Sequence, residues 1–454
     1  VDQLLRQGQL QKGKGADRHL VTTRDAIGLE QRIIAAVENG RGHGTAVVVA
    51  DEAGARLQAL SQLKYGLALN PGQEGAGRLL LASHNRIVAI QGVAGAGKST
   101  VLKPVADILR EEGRSVLGLA VQNTLVQMLE RDTGIPSMTV ARFLRQHRDL
   151  LEGADQARLA EARASLRGTT VLLDEASMVG NADKERLVRL ANLLQLDRFA
   201  SIGDRKQLGA VDAGKPFDVM QQAGVETAIM NTNLRARDKA LRDAQYAAQG
   251  GHIDEALRHL GPHVVASGDT ATVDAAAAWL SLSPAEREVT AIYASGRNLR
   301  GQVNDAVQTG LKANGELGPC SLRLNVLSRI NLTREEMRYA RSYAAGMVLE
   351  VDRRQRGQGL QKGRYEVVET DPTRERVMLQ NERGKRFEFR PGQMRPQGEQ
   401  DPLRLFEVRP LEIHDGDRIR WTATDHKRGL LNADQARIVA VDPNGVTVKT
   451  SLGA

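Results

Sequence analysis

Cysteine, aromatic side chains and long apolar runs are all scarce in this chain of 454 residues. The single cysteine, Cys320, excludes a disulfide within the chain and fits the reducing environment of the cytoplasm. No apolar stretch approaches the ~20 residues of a membrane-spanning helix, and no signal peptide opens the sequence, so membrane insertion is not expected. Aromatic residues make up 3% of the chain, so platforms for stacking the bases of single strands must be few.

What the chain does have is enough apolar and basic material for several globular domains. Hydrophobic residues make up 41%, the net charge is +8 and the pI is about 9.6. A length of 454 residues predicts two to four domains. The basic balance is equally compatible with a polyanionic partner and with a soluble protein that happens to be basic.

The segment GVAGAGKST, residues 92–100, matches the phosphate-binding pattern G-x-x-x-x-G-K-[ST]. An apolar run at 86–90 precedes it and a helical pattern at 101–110 follows it, which is the strand–loop–helix context that the pattern requires. Glycines let the backbone turn tightly and aim N–H groups at phosphate oxygens. The residues expected to hold the nucleotide here are Gly92, Gly95, Ala96, Gly97, Lys98, Ser99 and Thr100. Lys98 is expected to reach the β- and γ-phosphates, and Ser99 to ligate Mg²⁺.

A second apolar strand, residues 169–173, ends in Asp174 and Glu175. Asp174 is predicted to hold Mg²⁺ through water, and Glu175 to orient or deprotonate the attacking water. A carboxylate pair at this place could instead cap a helix. The intact phosphate loop upstream favours the catalytic interpretation.

Three further polar residues are candidates for the same site. Gln73, some twenty residues before the loop, is predicted to read adenine, although a surface glutamine at a helix start is an equal alternative. Gln207 follows the strand at 198–202 and is the candidate γ-phosphate sensor. Arg235 is predicted to stabilise charge on the γ-phosphate, with Arg237 and Arg242 as nearby alternatives.

Strands alternate with helices up to residue 235, which predicts an α/β fold with a parallel sheet. A strand is also expected at 46–50. The pattern restarts after 239, with strands expected at 263–266 and 288–294, as in the front half of a second α/β domain. From 346 onward, short alternating strands predict a small antiparallel β-barrel inserted into that domain, with a hairpin turn at 442–445.

The ordered set of motifs resembles superfamily 1 helicases of the RecD-like branch, and more closely the helicase region of conjugative relaxase–helicases of the TraI/TrwC type. The resemblance rests on these segments: GVAGAGKST at 92–100, LLDEASMVGN at 172–181, GDRKQL at 203–208 with GKPF at 214–217, IM at 229–230 with Arg235, and GDRIRWT at 416–422 with the 428–429 turn. It spans nearly the whole chain.

The resemblance implies RecA-like sheets, ATP and Mg²⁺ as ligands, and movement along single-stranded DNA in the 5′→3′ direction. It implies an N-terminal region at 1–70 with a short helical part, a first RecA-like domain at 71–235, the front half of a second at 236–320 and the inserted barrel at 321–454. The polar and basic residues 1–17 themselves predict a short helix followed by a linker. Thr139 matches a position that contacts DNA in the family. A type IV secretion coupling protein is the expected protein partner, with the chain a monomer on DNA. The expected location is the cytoplasm, with export alongside the DNA.

Two departures from the family pattern stand out. The family has Pro-Thr after its second strand, whereas Val121 and Gln122 stand here. The family's last motifs are absent between 431 and 454, so we expect the chain to end before the final helicase motifs.

Two other functions are compatible with these residues. In one, the region is a DNA-binding and secretion-recognition module with little or no ATPase activity, but the intact Lys98, Ser99, Asp174 and Glu175 argue against a dead site. The other is a P-loop kinase, which the Asp-Glu pair, the later Gln207 and the chain length all disfavour.

Overall fold

The computed structural model describes residues 5, 10–13, 21–153, 155–207, 214–319, 321–330, 332–333, 335–394, 403–422, 428, 430, 434–442 and 445–450. The chain divides into two compact units, Val1–Val264 and Val265–Ala454. Several features noted in the sequence lie outside the described residues: Cys320, Leu208, most of the helix expected within 1–17, Gly429 and the central residues 443–444 of the hairpin turn.

The first unit is built on a six-stranded parallel sheet. The strands of this unit are β1 (Leu10–Lys12), β2 (Val21–Thr23), β3 (Ile87–Gly92), β4 (Ser115–Ala120), β5 (Ser137–Thr139), β6 (Thr169–Leu173), β7 (Arg198–Gly203) and β8 (Thr227–Met230). The order in the large sheet is β5-β4-β6-β7-β3-β8, with all its pairs parallel. Strands β1 and β2 form a separate antiparallel pair.

Helices cover both faces of the parallel sheet. They are Arg24–Asn39, Ala50–Tyr65, Pro71–Ala82, Lys98–Glu111, Asn123–Thr133, Val140–Gln146, Arg148–Glu152, Gln156–Ser165, Asn181–Leu193, Pro216–Gln222, Lys239–Gly250 and Ile253–Leu260. Successive residues of β3 enter two different cores: Ile87 and Ala89 pack in one, Val88 and Ile90 in the other. This is the burial expected of a parallel strand covered on both sides.

The sequence predictions for the first unit are confirmed for most elements, and two of the differences lie within residues 1–70. The strand expected at 46–50 does not form: residues 45–49 are irregular, and Ala50 begins a helix that the sequence prediction did not include. Residues 10–12, expected in a helix or linker, form β1 because they pair with Val21–Thr23.

The second unit combines helices with antiparallel sheets. Its helices are Ala271–Leu280, Pro284–Val289 and Arg297–Ala313. Its strands are β9 (Ser321–Arg329), β10 (Val348–Val351), β11 (Gly363–Asp371), β12 (Arg376–Asn381), β13 (Arg386–Phe389), β14 (Leu403–His414), β15 (Arg418–Arg420), β16 (Gln435–Asp442) and β17 (Gly445–Thr450). A core that includes Leu349, Val367 and Phe389 lies on one face of the larger sheet.

The barrel expected in this unit is not confirmed. The described strands form an open sheet in the order β13-β12-β11-β10-β14-β9 and a second sheet in the order β15-β16-β17. Two strands, β9 and β14, were not expected from the sequence. Conversely, the strands expected at 263–266 and 288–294 do not form. Neither segment has a neighbouring strand to pair with, and Tyr293 is 95% exposed.

Candidate nucleotide-binding site

The carboxyl ends of β3, β6, β7 and β8 bring most of the predicted site residues to one edge of the parallel sheet. The phosphate loop follows β3, Asp174 follows β6, Asp204 follows β7 and the segment containing Arg235 follows β8. In open α/β sheets this edge is where ligands bind. The strand order β6-β7-β3-β8 makes these four ends consecutive neighbours.

The phosphate loop has the conformation that its glycines allow. Gly95 and Gly97 both have φ of 74°, in the left-handed region that favours glycine. Helix Lys98–Glu111 begins directly after Gly97, so its unpaired N–H groups and positive dipole end face the loop. The Lys98 ammonium donates to the carbonyl of Gly92 at 3.3 Å, which folds the side chain back across the loop.

Gln73 lies against the phosphate loop and is only 2% exposed. Its Nε2 donates to the carbonyls of Ala96 and Gly97 at 3.4 and 3.3 Å. Its Oε1 accepts from the backbone N–H of Asn70 at 3.0 Å, closing a capping box at the start of helix Pro71–Ala82. The side chain predicted to read adenine is therefore hydrogen-bonded to the loop at one end and to a helix cap at the other.

The Asp174 and Glu175 carboxylates follow the fully buried strand β6. Burial raises the pKa of Asp174 above its usual value and the adjacent Glu175 charge raises it further, whereas the Lys98 ammonium opposes the shift. Lys98 is therefore near enough to Asp174 to act on its charge, although the two residues follow different strands. A divalent cation at this position would likewise favour the ionised form of Asp174.

The backbone at Glu175 is strained. Glu175 has φ of 48° and ψ of 47°, a left-handed conformation that costs a non-glycine residue about 1–2 kcal/mol. The turn that follows lies directly against β7, because a Cβ on Gly203 would be 3.0 Å from the backbone nitrogen of Ala176. The Oγ of Ser177, in the same turn, is buried with no hydrogen-bond partner. Strain of this kind is commonly held at functional sites.

Asp204, at the end of β7, is the centre of a hydrogen-bond network. Its carboxylate accepts from Gln91 Nε2 at 2.8 Å, from the backbone of Lys206 at 3.0 Å and from Gln207 Nε2 at 3.4 Å. Gln207, the predicted sensor, is thus held by Asp204, and the two are also joined by a backbone hydrogen bond of 3.1 Å.

The segment after β8 lies directly on the phosphate loop. The Leu234 N–H donates to the carbonyl of Gly95 at 2.8 Å. Asn233 shapes this segment, because its Oδ1 accepts from the backbone N–H groups of Arg235 and Ala236 at 2.9 and 3.0 Å. A Cβ on Gly95 would be 2.8 Å from the Cβ of Arg235, so the predicted arginine begins within contact distance of the loop.

Thr139 stands apart from this group. It ends β5, at the far edge of the sheet, and three strands separate it from β3. Its Oγ1 accepts from the Arg142 N–H at 3.2 Å and caps helix Val140–Gln146. Its predicted contact is with DNA rather than with the nucleotide.

The donor set fits a magnesium ion that is shared with a nucleotide. Magnesium prefers a few protein oxygens completed by substrate phosphates and water, and Ser99 and Asp174 offer a hydroxyl and a carboxylate. Within the described part of the chain, no group of three or more His, Cys, Asp or Glu side chains could hold a metal without such help.

Sequence reasoning missed two residues of this site. Gln91 lies between the apolar run at 86–90 and the phosphate loop and was assigned no role, yet it joins β3 to Asp204. Asn233 was passed over in favour of Arg235, although the NTNLR segment carries an asparagine two residues before the arginine. An asparagine at that spacing often bonds the backbone two residues on, and this signal could have found it.

Comparison with known proteins agrees with this arrangement. Residues 68–266 match the family described as AAA domain, and residues 326–413 match the DNA relaxase TraI 2B/2B-like domain. The chain is 24% identical over 431 residues to the multifunctional conjugation protein TraI of Escherichia coli, an alignment covering 84% of this chain. It is 35% identical over 143 residues, 32% of this chain, to the ATP-dependent RecD2 DNA helicase of Deinococcus radiodurans.

The two matched regions make this chain similar to the RecD-like superfamily 1 helicase region of TraI-type proteins. The match of residues 68–266 to the AAA domain implies nucleotide binding. The chain spans 23% of the length of the TraI relative and 19% of RecD2. Among solved structures, the Pif1 helicase of Candida albicans aligns at 15% identity and a TM-score of 0.35, over 82% of this chain and 83% of that one. None of the helices described here has the length and apolarity that a bilayer crossing requires.

Proposed function

We propose that this chain is the motor region of an ATP-dependent single-stranded DNA translocase or helicase, moving 5′→3′ in conjugative plasmid transfer. One observation carries the proposal: residues from four strand ends lie at the edge of the sheet where the phosphate loop begins. The loop touches Gln73 from one side and the segment of Leu234 from another. The similarity to TraI and RecD2 supplies the conjugative and helicase parts of the proposal.

Each residue of the site has a proposed role in hydrolysis that follows from its chemistry. The backbone N–H groups at residues 95–100 and the Lys98 ammonium would bind the β- and γ-phosphates of ATP. Glu175 would orient the attacking water toward the γ-phosphorus and accept a proton from it. Arg235 would stabilise charge on the γ-phosphate, and Gln207 would sense its presence. Ser99 and Asp174 would hold Mg²⁺, which supplies electrostatic stabilisation of the phosphate oxygens when bound.

Single-stranded DNA is the proposed polymer partner. Contacts would be mainly to phosphates, since aromatic residues are few, and binding would weaken with salt. Thr139 is proposed as one contact. We further propose that the chain works as a monomer on DNA in the cytoplasm, that it is exported with the DNA, and that a type IV secretion coupling protein is its partner. The similarity to conjugation proteins supports these finer points. The division of residues 236–454 into a second RecA-like domain and an insertion remains a prediction.

The test measures ATP hydrolysis with and without oligo(dT), together with oligonucleotide binding by fluorescence anisotropy. In Lys98→Ala we expect hydrolysis to fall at least about 100-fold, because a preorganised cation at the γ-phosphate is lost, while single-strand affinity stays within about threefold. In Glu175→Gln we expect a similar loss of turnover with nucleotide still bound, and a trapped DNA complex.

Lys103→Ala is the matched control. Lys103 lies on the same helix as Lys98, but its ammonium is 6.0 Å from the centre of the Tyr65 ring. Its removal should leave hydrolysis unchanged. Wild-type turnover in Glu175→Gln would remove that residue from the mechanism. No hydrolysis by the wild-type chain, with DNA still bound, would favour the binding-module function instead.

A further inference from the structure

We infer that Gln91 is a positioning residue that couples the phosphate loop to the sensor turn at residues 203–207. The inference rests on the proposed ATPase function and adds to it a residue with no role in the pattern G-x-x-x-x-G-K-[ST]. Gln91 is the last side chain before the loop begins at Gly92. It is the second-last residue of β3 and pairs with Gly203, the last residue of the neighbouring strand β7.

The Gln91 amide is bonded at both ends. Its Nε2 donates to Asp204 Oδ1 at 2.8 Å, and its Oε1 accepts from the backbone N–H of Arg205 at 3.1 Å. The same Oε1 accepts from Gln221 Nε2 at 3.3 Å, on helix Pro216–Gln222. One side chain at the base of the phosphate loop is therefore joined to the Asp204 carboxylate, to the backbone of the next residue and to helix Pro216–Gln222.

The hydrogen bond from Gln91 helps to fix the orientation of the Asp204 carboxylate. Asp204 as a residue is 2% exposed, so its carboxylate depends on hydrogen bonds from the protein in place of water. Gln91 supplies one of them, and the carboxylate in turn accepts from Gln207 Nε2 at 3.4 Å. If Gln91 lost its donor, Asp204 would reorient toward its remaining donors and Gln207 would move with it. A displacement of about 1 Å in a positioned group can cost up to ~100-fold in rate.

The chain from loop to sensor is short and covalently anchored. Gly92 and Gln91 share a peptide bond, so a shift of the loop on phosphate binding moves the Cα that carries the amide. Gln91, Asp204 and Gln207 then follow in two hydrogen-bonded steps. The direct phosphate ligands of the loop are separate from these steps, so the bridge should govern turnover more than nucleotide affinity.

The test is Gln91→Met, which keeps an unbranched side chain of similar length and removes both polar ends. We expect kcat for ATP to fall about tenfold with KM within about twofold, the pattern of an interaction made for the transition state. Thermal unfolding should show that the variant is folded. Gln221→Met in the Gln91→Met background should have no further effect, because its partner is already absent.

Gln222→Met is the matched control on the same helix, since its amide donates to Asp218 at 2.9 Å rather than to Gln91. It should leave both constants unchanged. A rise in KM with unchanged kcat in folded Gln91→Met, or no change in either, would overturn the inference.

A second readout does not depend on turnover. Hydrogen exchange of the Arg205 and Lys206 amides should slow when ATPγS binds to the wild-type chain and should not respond in Gln91→Met. If the wild type hydrolyses no ATP, the proposed function fails by itself, and this exchange experiment still decides the role of Gln91. An equal response in both proteins, or a wild type whose exchange ATPγS leaves unaltered, would refute the coupling.

Discussion

The two compact units bury their strands in different ways. In the first unit, β6 and β7 are buried along their whole length, and β3 is buried at all but one residue. In the second unit, β11 and β12 alternate between buried and more exposed positions. The first pattern is that of a parallel sheet covered on both faces, and the second that of an antiparallel sheet with a single core face.

The difference explains where the candidate site lies. When both faces of a sheet are covered by helices, polar side chains are accommodated at the ends of the strands. In the first unit the polar network lies at the carboxyl ends of the strands. The helices of the second unit bury little of their own surface: Ala276 is the buried residue of Ala271–Leu280, and Val303 that of Arg297–Ala313. Precise placement of reacting groups requires the tighter packing of the first unit.

The largest expected effect compares one core leucine in each unit. Leu172 on β6 and Leu349 on β10 are both 0% exposed, so replacing either by alanine should cost about 2–5 kcal/mol of unfolding free energy. Leu172→Ala should also weaken ATP binding, because Asp174 follows two residues later, whereas Leu349→Ala should not. Denaturant titration and nucleotide binding measure the two quantities.

The control for this pair is Leu63→Ala, since Leu63 is 87% exposed and its loss should cost under about 0.5 kcal/mol. An equal loss of ATP binding in folded Leu349→Ala would end the separation of the two units by function.

The same contrast explains how far the sequence could predict the fold. In the first unit, strands and helices follow clear periodicity, and the strand expected at 169–173 is observed at those residues. The helix Ala50–Tyr65 was missed because its buried positions include Ala53 and Gly54, which carry little hydrophobic signal. In the second unit, the apolar residues at 264–266 and 288–294 looked like strands, but a strand also needs a partner.

The candidate site was predictable to the same degree. Lys98, Asp174 and Glu175 follow from residue type and local context. The Gln91–Asp204 bond does not, because it depends on β3 lying beside β7, which no local pattern contains. The burial of polar side chains was equally unpredictable from the sequence. Arg198 is 1% exposed and donates to the carbonyls of Thr45, Ser83 and Asn85, yet in the sequence it is one basic residue among many.

Two glycines beside opposite ends of helix Lys98–Glu111 allow the phosphate loop to be compared with a turn that lies away from the site. Gly97 and Gly113 have φ of 74° and 68°, so alanine at either should cost about 1 kcal/mol in stability. A Cβ on Gly97 would also lie 2.5 Å from Gln73 Nε2, whereas Gly113 has open space. We therefore expect Gly97→Ala to lower ATP affinity at least about tenfold, which is 1.4 kcal/mol, and Gly113→Ala to leave it unchanged.

Isothermal titration with ATPγS, alongside thermal unfolding of both variants, checks this expectation. If the two alanines weakened nucleotide binding equally, the contact between Gln73 and the loop would have no bearing on affinity.

The smallest expected effect concerns a lysine in the dense core of the first unit. Lys184 is 0% exposed, donates to Ser201 Oγ at 3.1 Å and lies 6.0 Å from the centre of the Phe217 ring. Burial lowers the pKa of Lys184 to about 7 in the folded chain, against about 10.4 in an unfolded one. Between these values the unfolded state binds more protons, so stability should rise with pH across that window. Below it the penalty for burying a charge is fully present, and above it the penalty is absent.

From pH 7 to 8 the rise due to Lys184 should be about 1 kcal/mol, and Lys184→Met should remove it, because methionine fills the space without a titrating group. Urea unfolding at the two pH values, for both proteins, gives the difference. Lys103→Met, at a half-buried position of helix Lys98–Glu111, should keep the wild-type rise. An identical rise in Lys184→Met would mean that other groups set the pH dependence, and that this packed core holds its lysine charged at neutral pH.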